Sequence, residues 1–84
     1  MRGSYQFVNG TFEPRGEMTA IMERVARMSL LTDTGEGTPS FYIDETDGSY
    51  WQYRQFEDLR TELRRVDRTY IESNYPTVDP HRPV

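Results

Sequence analysis

The chain has 84 residues, no cysteine and 14 acids against 10 bases, for a net charge of -4. That length allows one domain. The missing thiols exclude disulfide staples, thiolate metal ligands and a cysteine nucleophile, and the acidic balance argues against general nucleic-acid binding, which calls for a basic surface.

Hydrophobic content is 35% and mean hydropathy is -0.86, so a core must lean on the aromatic residues, which make up 13%. Each large ring buries on the order of 150–250 Å². No run approaches the roughly 20 apolar residues of a membrane span, and no apolar signal core opens the sequence. The expectation is a cytoplasmic protein. Every base is arginine, so any ion pair is made by a planar guanidinium fork.

In chain order, Tyr5, Phe7 and Val8, then Asn9-Gly10, then Thr11-Phe12 predict a short hairpin. Asn-Gly accepts the positive φ of a primed turn. Met1 to Ser4 are expected to be loose ahead of it. Glu17 to Ser29 form the clearest helix, with Met18, Ile21, Met22, Val25 and Met28 on one stripe at helical spacing. Arg24 and Arg27 fall on the other side, and Glu23 stands four residues before Arg27, the favourable order for a helical ion pair. Leu30 and Leu31 leave the stripe and end the helix. Thr32 to Pro39 read as a loop. Gly35 and Gly37 begin a G-x-G pattern that lacks its third glycine, which excludes a dinucleotide fingerprint.

The run from Phe41 to Tyr53 is the most informative part of the chain. It reads as a β-hairpin whose turn holds Asp47-Gly48, a strong signal for a tight primed turn. It also carries Trp51, the only tryptophan, with Tyr42, Tyr50 and Tyr53. Trp51 is expected in the core. Trp51 and Tyr53 share one face of the return strand; Tyr50 and Gln52 share the other.

Residues 57–75 admit two readings. Leu59, Leu63, Val66 and Tyr70 are spaced as one helical stripe. Alternatively Thr61 to Val66 form a strand, and Asp67 is the N-cap of a short helix from Arg68 to Tyr75. Pro76 closes either element. Residues 77–84, with His81 and two of the five prolines, read as a disordered tail after a single domain over residues 1–76.

Asp44, Glu45 and Asp47 cluster in the hairpin turn. Counted from Asp44, Gly48 falls at position 5, whereas a calcium loop places its glycine at position 6. His81 in a flexible tail lacks the convergent ligands of a metal site and the held geometry of a catalytic base. No metal, cofactor or catalytic residue is expected. Tyrosine, tryptophan and arginine are the usual anchors of protein interfaces.

The order of features resembles the immunity protein 27 family of bacterial polymorphic toxin systems. The likeness lies in a short N-terminal strand, a helix with a central arginine (Glu23-Arg24-Val25), an Asp-x-x-Asp-Gly turn (Asp44, Asp47, Gly48) and the aromatic pair Tyr50-Trp51. A leucine-containing segment, Leu63 to Val66, and a last helix ending in Tyr75 complete it. The resemblance spans Phe7 to Tyr75, favours the strand-plus-helix reading of residues 57–75, and implies a protein that binds and neutralises one toxin.

The resulting expectation is an α+β fold. It has a small antiparallel sheet of three or four strands, one long amphipathic helix packed on it, and a short C-terminal helix. The expected activity is inhibition of a cognate toxin, basic at the contact, through Asp44, Glu45 and Asp47 with Tyr42, Glu57 and Asp58 nearby. The rival readings are an acidic DNA mimic, a dimeric module using the methionine helix, and a nucleic-acid binder using Arg60, Arg64, Arg65 and Arg68 as one patch.

Overall fold

The computed structural model describes residues 1–33 and 39–81. Six strands and two short helices follow one another as β1 (Arg2–Val8), β2 (Thr11–Gly16), α1 (Met18–Arg27), β3 (Ser29–Asp33), β4 (Ser40–Asp44), β5 (Ser49–Gln55), β6 (Arg60–Val66) and α2 (Arg68–Asn74). The strands form one sheet in the order β2-β1-β6-β5-β4-β3, with every pair antiparallel.

This corrects the expected sheet of three or four strands under one long helix. The helix is 10 residues long and the sheet is nearly twice as wide. The difference lies in β3, which was not expected, and in the first residues of β1, which join the expected hairpin to the rest of the sheet. Met1 to Ser4 are not loose: the Met1 ammonium donates to the Leu63 carbonyl at 2.8 Å, the Leu63 amide donates to the Met1 carbonyl at 2.9 Å, and Arg2 to Ser4 pair with β6. Leu30 leaves the helical stripe because the backbone turns extended at Met28 (φ -101, ψ 160) and pairs with β4 instead. The G-x-G stretch lies outside the described residues.

Both faces of the sheet are covered, which explains why apolar residues occur at odd and even positions of the same strand. On one face α1 lays Met18 and Ile21 against Leu63, with Met28 beside them; Tyr5, Tyr42, Trp51 and Tyr53 pack around that cluster. On the other face α2 and the segment after it bring Ile71 and Val78 onto Phe41 and Leu31, flanked by Ile43, Tyr50, Val66, Tyr70 and Tyr75. The segment expected as a disordered tail is therefore docked at Val78, which is 4% exposed. Residues 82–84 lie outside the described residues.

For residues 57–75 the strand-plus-helix reading matches the structure. Asp67 caps α2 by accepting the Tyr70 amide at 2.9 Å. On this face the Tyr70 hydroxyl donates to Gln52 Oε1 at 2.9 Å, and Arg64 Nη2 donates to the Tyr70 hydroxyl at 3.0 Å.

The β1–β2 hairpin overhangs. Its turn residues Asn9 (φ 50) and Gly10 (φ 83) both take the positive φ of a type I′ turn, as the Asn-Gly pair predicts. β1 touches β6 only through Arg2, Gly3 and Ser4, whereas it pairs with β2 as far as Val8. A compact chain of this length has a radius of gyration of about 12 Å; the observed 13.5 Å and the 43 × 27 × 19 Å extents reflect the projecting ribbon.

Candidate functional site

The acidic bend joins β4 to β5. It is not the two-residue primed turn expected from Asp47-Gly48: Asp44 pairs with Ser49, leaving a four-residue connection from Glu45 to Gly48. Gly48 still supplies the positive φ, at 73°, and its amide donates to the Asp44 carbonyl at 2.8 Å. Both aspartates are used to hold the bend. Asp44 Oδ1 accepts from the Thr46 amide at 3.0 Å and the Thr46 hydroxyl at 2.5 Å. Asp47 Oδ1 accepts from the Ser49 amide at 2.9 Å and the Ser49 hydroxyl at 2.5 Å. Ser49 Oγ in turn accepts the Trp51 indole N–H at 2.8 Å, so one relay ties the bend to the sheet.

Arg24 sits at the centre of this end of the molecule. It does not face away from the sheet, as helical spacing suggests. Its guanidinium lies 4.0 Å from the Trp51 ring centroid, and Nη2 reaches Asp44 Oδ2 at 3.3 Å. The ion pair is partly screened from water, with side chains 25% and 13% exposed. Trp51 is therefore half-buried, with one face on the core cluster and an arginine stacked over it. The signal for Arg24 was present in the sequence only as the central arginine of the helix; its acid partner, 20 residues on, was not.

The hydrogen bonds from Thr46 hold the Asp44 carboxyl below the usual carboxylate range, with Arg24 adding a smaller pull. Those from Ser49 lower Asp47 in the same way, helped by Arg65 and Arg24. A carboxylate whose folded pKa is lowered contributes stability that is complete above its unfolded pKa and lost as pH falls through the folded one. Acid titration of the denaturant midpoint should therefore show a fall beginning below about pH 5. Thr46→Val should make that fall shallower, because the main cause of the Asp44 shift is gone. An unchanged slope would remove the bend from the acid response.

The six residues expected at the contact do not form one surface. Asp44, Glu45 and Asp47 share the bend. Tyr42 lies on β4 beneath α1, packed on the core cluster and edge-on to Tyr53 at 6.2 Å. Glu57 and Asp58 lie in the β5–β6 turn, at the other end of β5. Seven strand residues separate the two turns, about 20 Å at ~3.3 Å per residue. Asp58 is paired with Arg60 at 2.7 Å. Glu45 is exposed and has no ion pair among the described residues.

The arginines proposed as a basic patch are also dispersed. Arg64 stacks on Tyr70 at 5.2 Å on the α2 face, while Arg65 aligns with Trp51 on the α1 face. Arg60 is held by Asp58, and Arg68 by Glu72 at 2.7 Å. Alternation along β6 separates Arg64 from Arg65, because neighbouring strand residues point to opposite faces.

Sequence reasoning missed the overhanging ribbon. Its α1-side face carries Phe7 and Phe12, 62% and 58% exposed, packed edge-on at 5.1 Å. Phe56 and Leu59, each 37% exposed, stand in the β5–β6 turn at the same end of the sheet. An alternation of Tyr5, Phe7, Phe12 and Pro14 against Gln6, Val8, Thr11, Glu13 and Arg15 was the available signal.

Among the described residues no group of three or more His, Asp or Glu side chains is gathered to hold a metal, and no helix is long and apolar enough to cross a membrane. Comparison of the chain with protein-family models, with curated proteins and with solved structures found no match.

Proposed function

We propose that this chain neutralises a basic protein by direct contact, as an immunity protein does a toxin, in the cytoplasm of the cell that makes both. The observation that carries the reading is the acidic bend. Asp44 and Asp47 each accept one backbone amide and one side-chain hydroxyl at the bend, so Glu45 is displayed from a pre-ordered loop. Pre-ordering lowers the entropy cost of binding. Exposed acids of this kind raise the encounter rate with a basic partner.

The contact proposed is narrower than the sequence suggests: Glu45 and Asp47 with the bend that bears them, without Glu57 and Asp58. Glu45→Lys is the clean test, because Glu45 takes no part in holding the bend, whereas substitution of either aspartate would also loosen it. The probe is the product of the gene adjacent to this chain's own, which the proposal requires to be a toxic protein. Co-expression with the wild-type chain should restore growth. Glu45→Lys should slow association several-fold at low salt, with the difference closing as salt rises. A toxin that kills despite the wild-type chain would refute the function; protection with unaltered association rates in Glu45→Lys would refute the surface.

A further inference from the structure

The end of the molecule opposite the acidic bend has its own unassigned surface, independent of the toxin-binding reading. The odd-numbered residues at the start of the chain face β6: Met1, just ahead of β1, exchanges both main-chain hydrogen bonds with Leu63, and Gly3 of β1 stands opposite Thr61. The same side of β1 continues through Tyr5 and Phe7. There β6 offers no partner, because it starts only at Arg60, after the chain folds back at Phe56 to Leu59, closed by the Leu59 amide on the Phe56 carbonyl at 3.2 Å. The inner edge of β1 from Tyr5 to Val8 is therefore a strand edge with no strand beside it.

The other edges are guarded. On β2, Pro14 stands opposite Tyr5, at a position where its missing N–H falls on the outer edge. On β3 the ladder shifts register between Leu30 and Thr32, and such irregularities twist an edge away from pairing. The inner edge of β1 carries neither device, and it borders the exposed Phe7–Phe12 pair.

We propose that this edge is the interface of a homodimer, in which two ribbons pair antiparallel about a two-fold axis with Phe7 of one copy opposite Phe7 of the other. A strand edge laid antiparallel on itself is self-complementary, as an isologous contact requires. In this register the two Phe7 residues exchange main-chain N–H···O=C bonds. β2-β1 of each copy then join in one four-stranded ribbon, with Phe7 and Phe12 of both copies clustered on one face. A register two residues deeper is blocked, because Arg60 already occupies the place opposite Ser4.

Charge and area both favour a second copy as the occupant. The chain as a whole is acidic and repels itself, but here the charges are compensated in place. Arg15 bonds Glu13 at 3.1 Å and Gln6 at 2.7 Å, Arg60 bonds Asp58 at 2.7 Å, and Arg2 bonds Glu62 at 3.4 Å. Among the described residues flanking this edge, Glu57 alone adds unpaired charge. A basic partner finds little to attract it there; an identical surface finds little to repel it. Phe7, Phe12, Phe56 and Leu59 expose about 350–400 Å² of apolar surface per copy, taking ~150–250 Å² for a whole aromatic side chain. Two copies supply about 700–800 Å². With the usual polar share this corresponds to an interface near 1,200 Å² in total, the lower end of the stable range. The dimer is accordingly a weak one.

Sedimentation of the full chain from low micromolar to near-millimolar concentration tests this. The wild type should pass from monomer to dimer across that range. Phe7→Pro removes the amide bonded across the two-fold while sparing the β1–β2 ladder, and Phe12→Ala removes half of the aromatic cluster. Each should weaken association about tenfold or more, with far-ultraviolet circular dichroism unchanged. A wild-type chain that stays monomeric throughout would overturn the proposal and leave the ribbon to a different protein. Wild-type association by both variants would overturn it too, as would a dimer abolished by Met22→Lys but untouched by Phe12→Ala, which would place the contact on α1.

Discussion

Replacing Gly3 with alanine should cost about 3 kcal/mol of folding stability, near the top of the range for overpacking a well-filled site. A methyl group added to Gly3 would lie 2.5 Å from the Met18 nitrogen and 2.6 Å from its Cα. Those are backbone atoms at the first turn of α1, so no side-chain rotation relieves the contact. Gly3 is also where β1 meets β6 and where the Arg2 carbonyl receives the Glu17 amide that begins the helix. One substitution therefore pries α1 from the sheet and strains the root of the ribbon. A domain of this size has a total stability of roughly 4–12 kcal/mol, so the loss is a large fraction. In urea, with a slope of about 1 kcal/mol/M for a small protein, the midpoint should fall by about 3 M. Gly10→Ala is the comparison: its added methyl meets nothing within 4 Å, and only the positive φ resists, at about 1–2 kcal/mol. Equal costs for the two would show that α1 does not sit on Gly3.

Phe41→Ala is expected to be as damaging or worse, at about 3–5 kcal/mol. Phe41 is fully buried, and its ring centroid lies 4.9 Å from that of Tyr75. It is the largest member of the cluster that joins β3, β4, α2 and the segment around Val78. The cavity it leaves is bordered by elements from distant parts of the chain, which limits how far any one of them can collapse into it. Thermal unfolding should shift down by about 12–40 °C, taking ~4–8 °C per kcal/mol for a domain of this length. Val78→Ala removes far less from the same cluster and should cost about 1–2 kcal/mol. No cost at Val78 would mean that the segment after α2 does not hold the second core in place.

The two cores also explain which parts of the sequence were easy to read. Asn9-Gly10 is local chemistry, because a primed turn needs positive φ at both residues and these two supply it whatever surrounds them. The stripe Met18, Ile21, Val25 and Met28 predicts α1 for a similar reason: the period is set by the helix itself. Met22 belongs to the stripe by spacing but lies at its rim, and it ends 46% exposed. The Asp67 cap and the helix after it likewise depend on a few adjacent residues.

β3 was hidden because Leu30-Leu31 is too short to show alternation, and its strand state comes from pairing with Tyr42 and Phe41. On β4, Phe41, Tyr42 and Ile43 follow one another without a polar face to mark which way is out, because both faces of the strand are covered.

The candidate site divides along the same line. The sequence alone determined that Asp44, Glu45 and Asp47 share one bend, that the bend ends on a glycine, and that Trp51 stands a few residues beyond it, all through chain proximity. Only the tertiary structure decided that Arg24 covers Trp51 and pairs with Asp44, that Glu57 and Asp58 belong to the opposite end of the sheet, and that a ribbon bearing Phe7 and Phe12 projects past the first residues of β6. Local spacing fixes turns and helix faces because their geometry closes within a few residues. Strand order and overhang depend on partners tens of residues away, whose pairing no local pattern encodes.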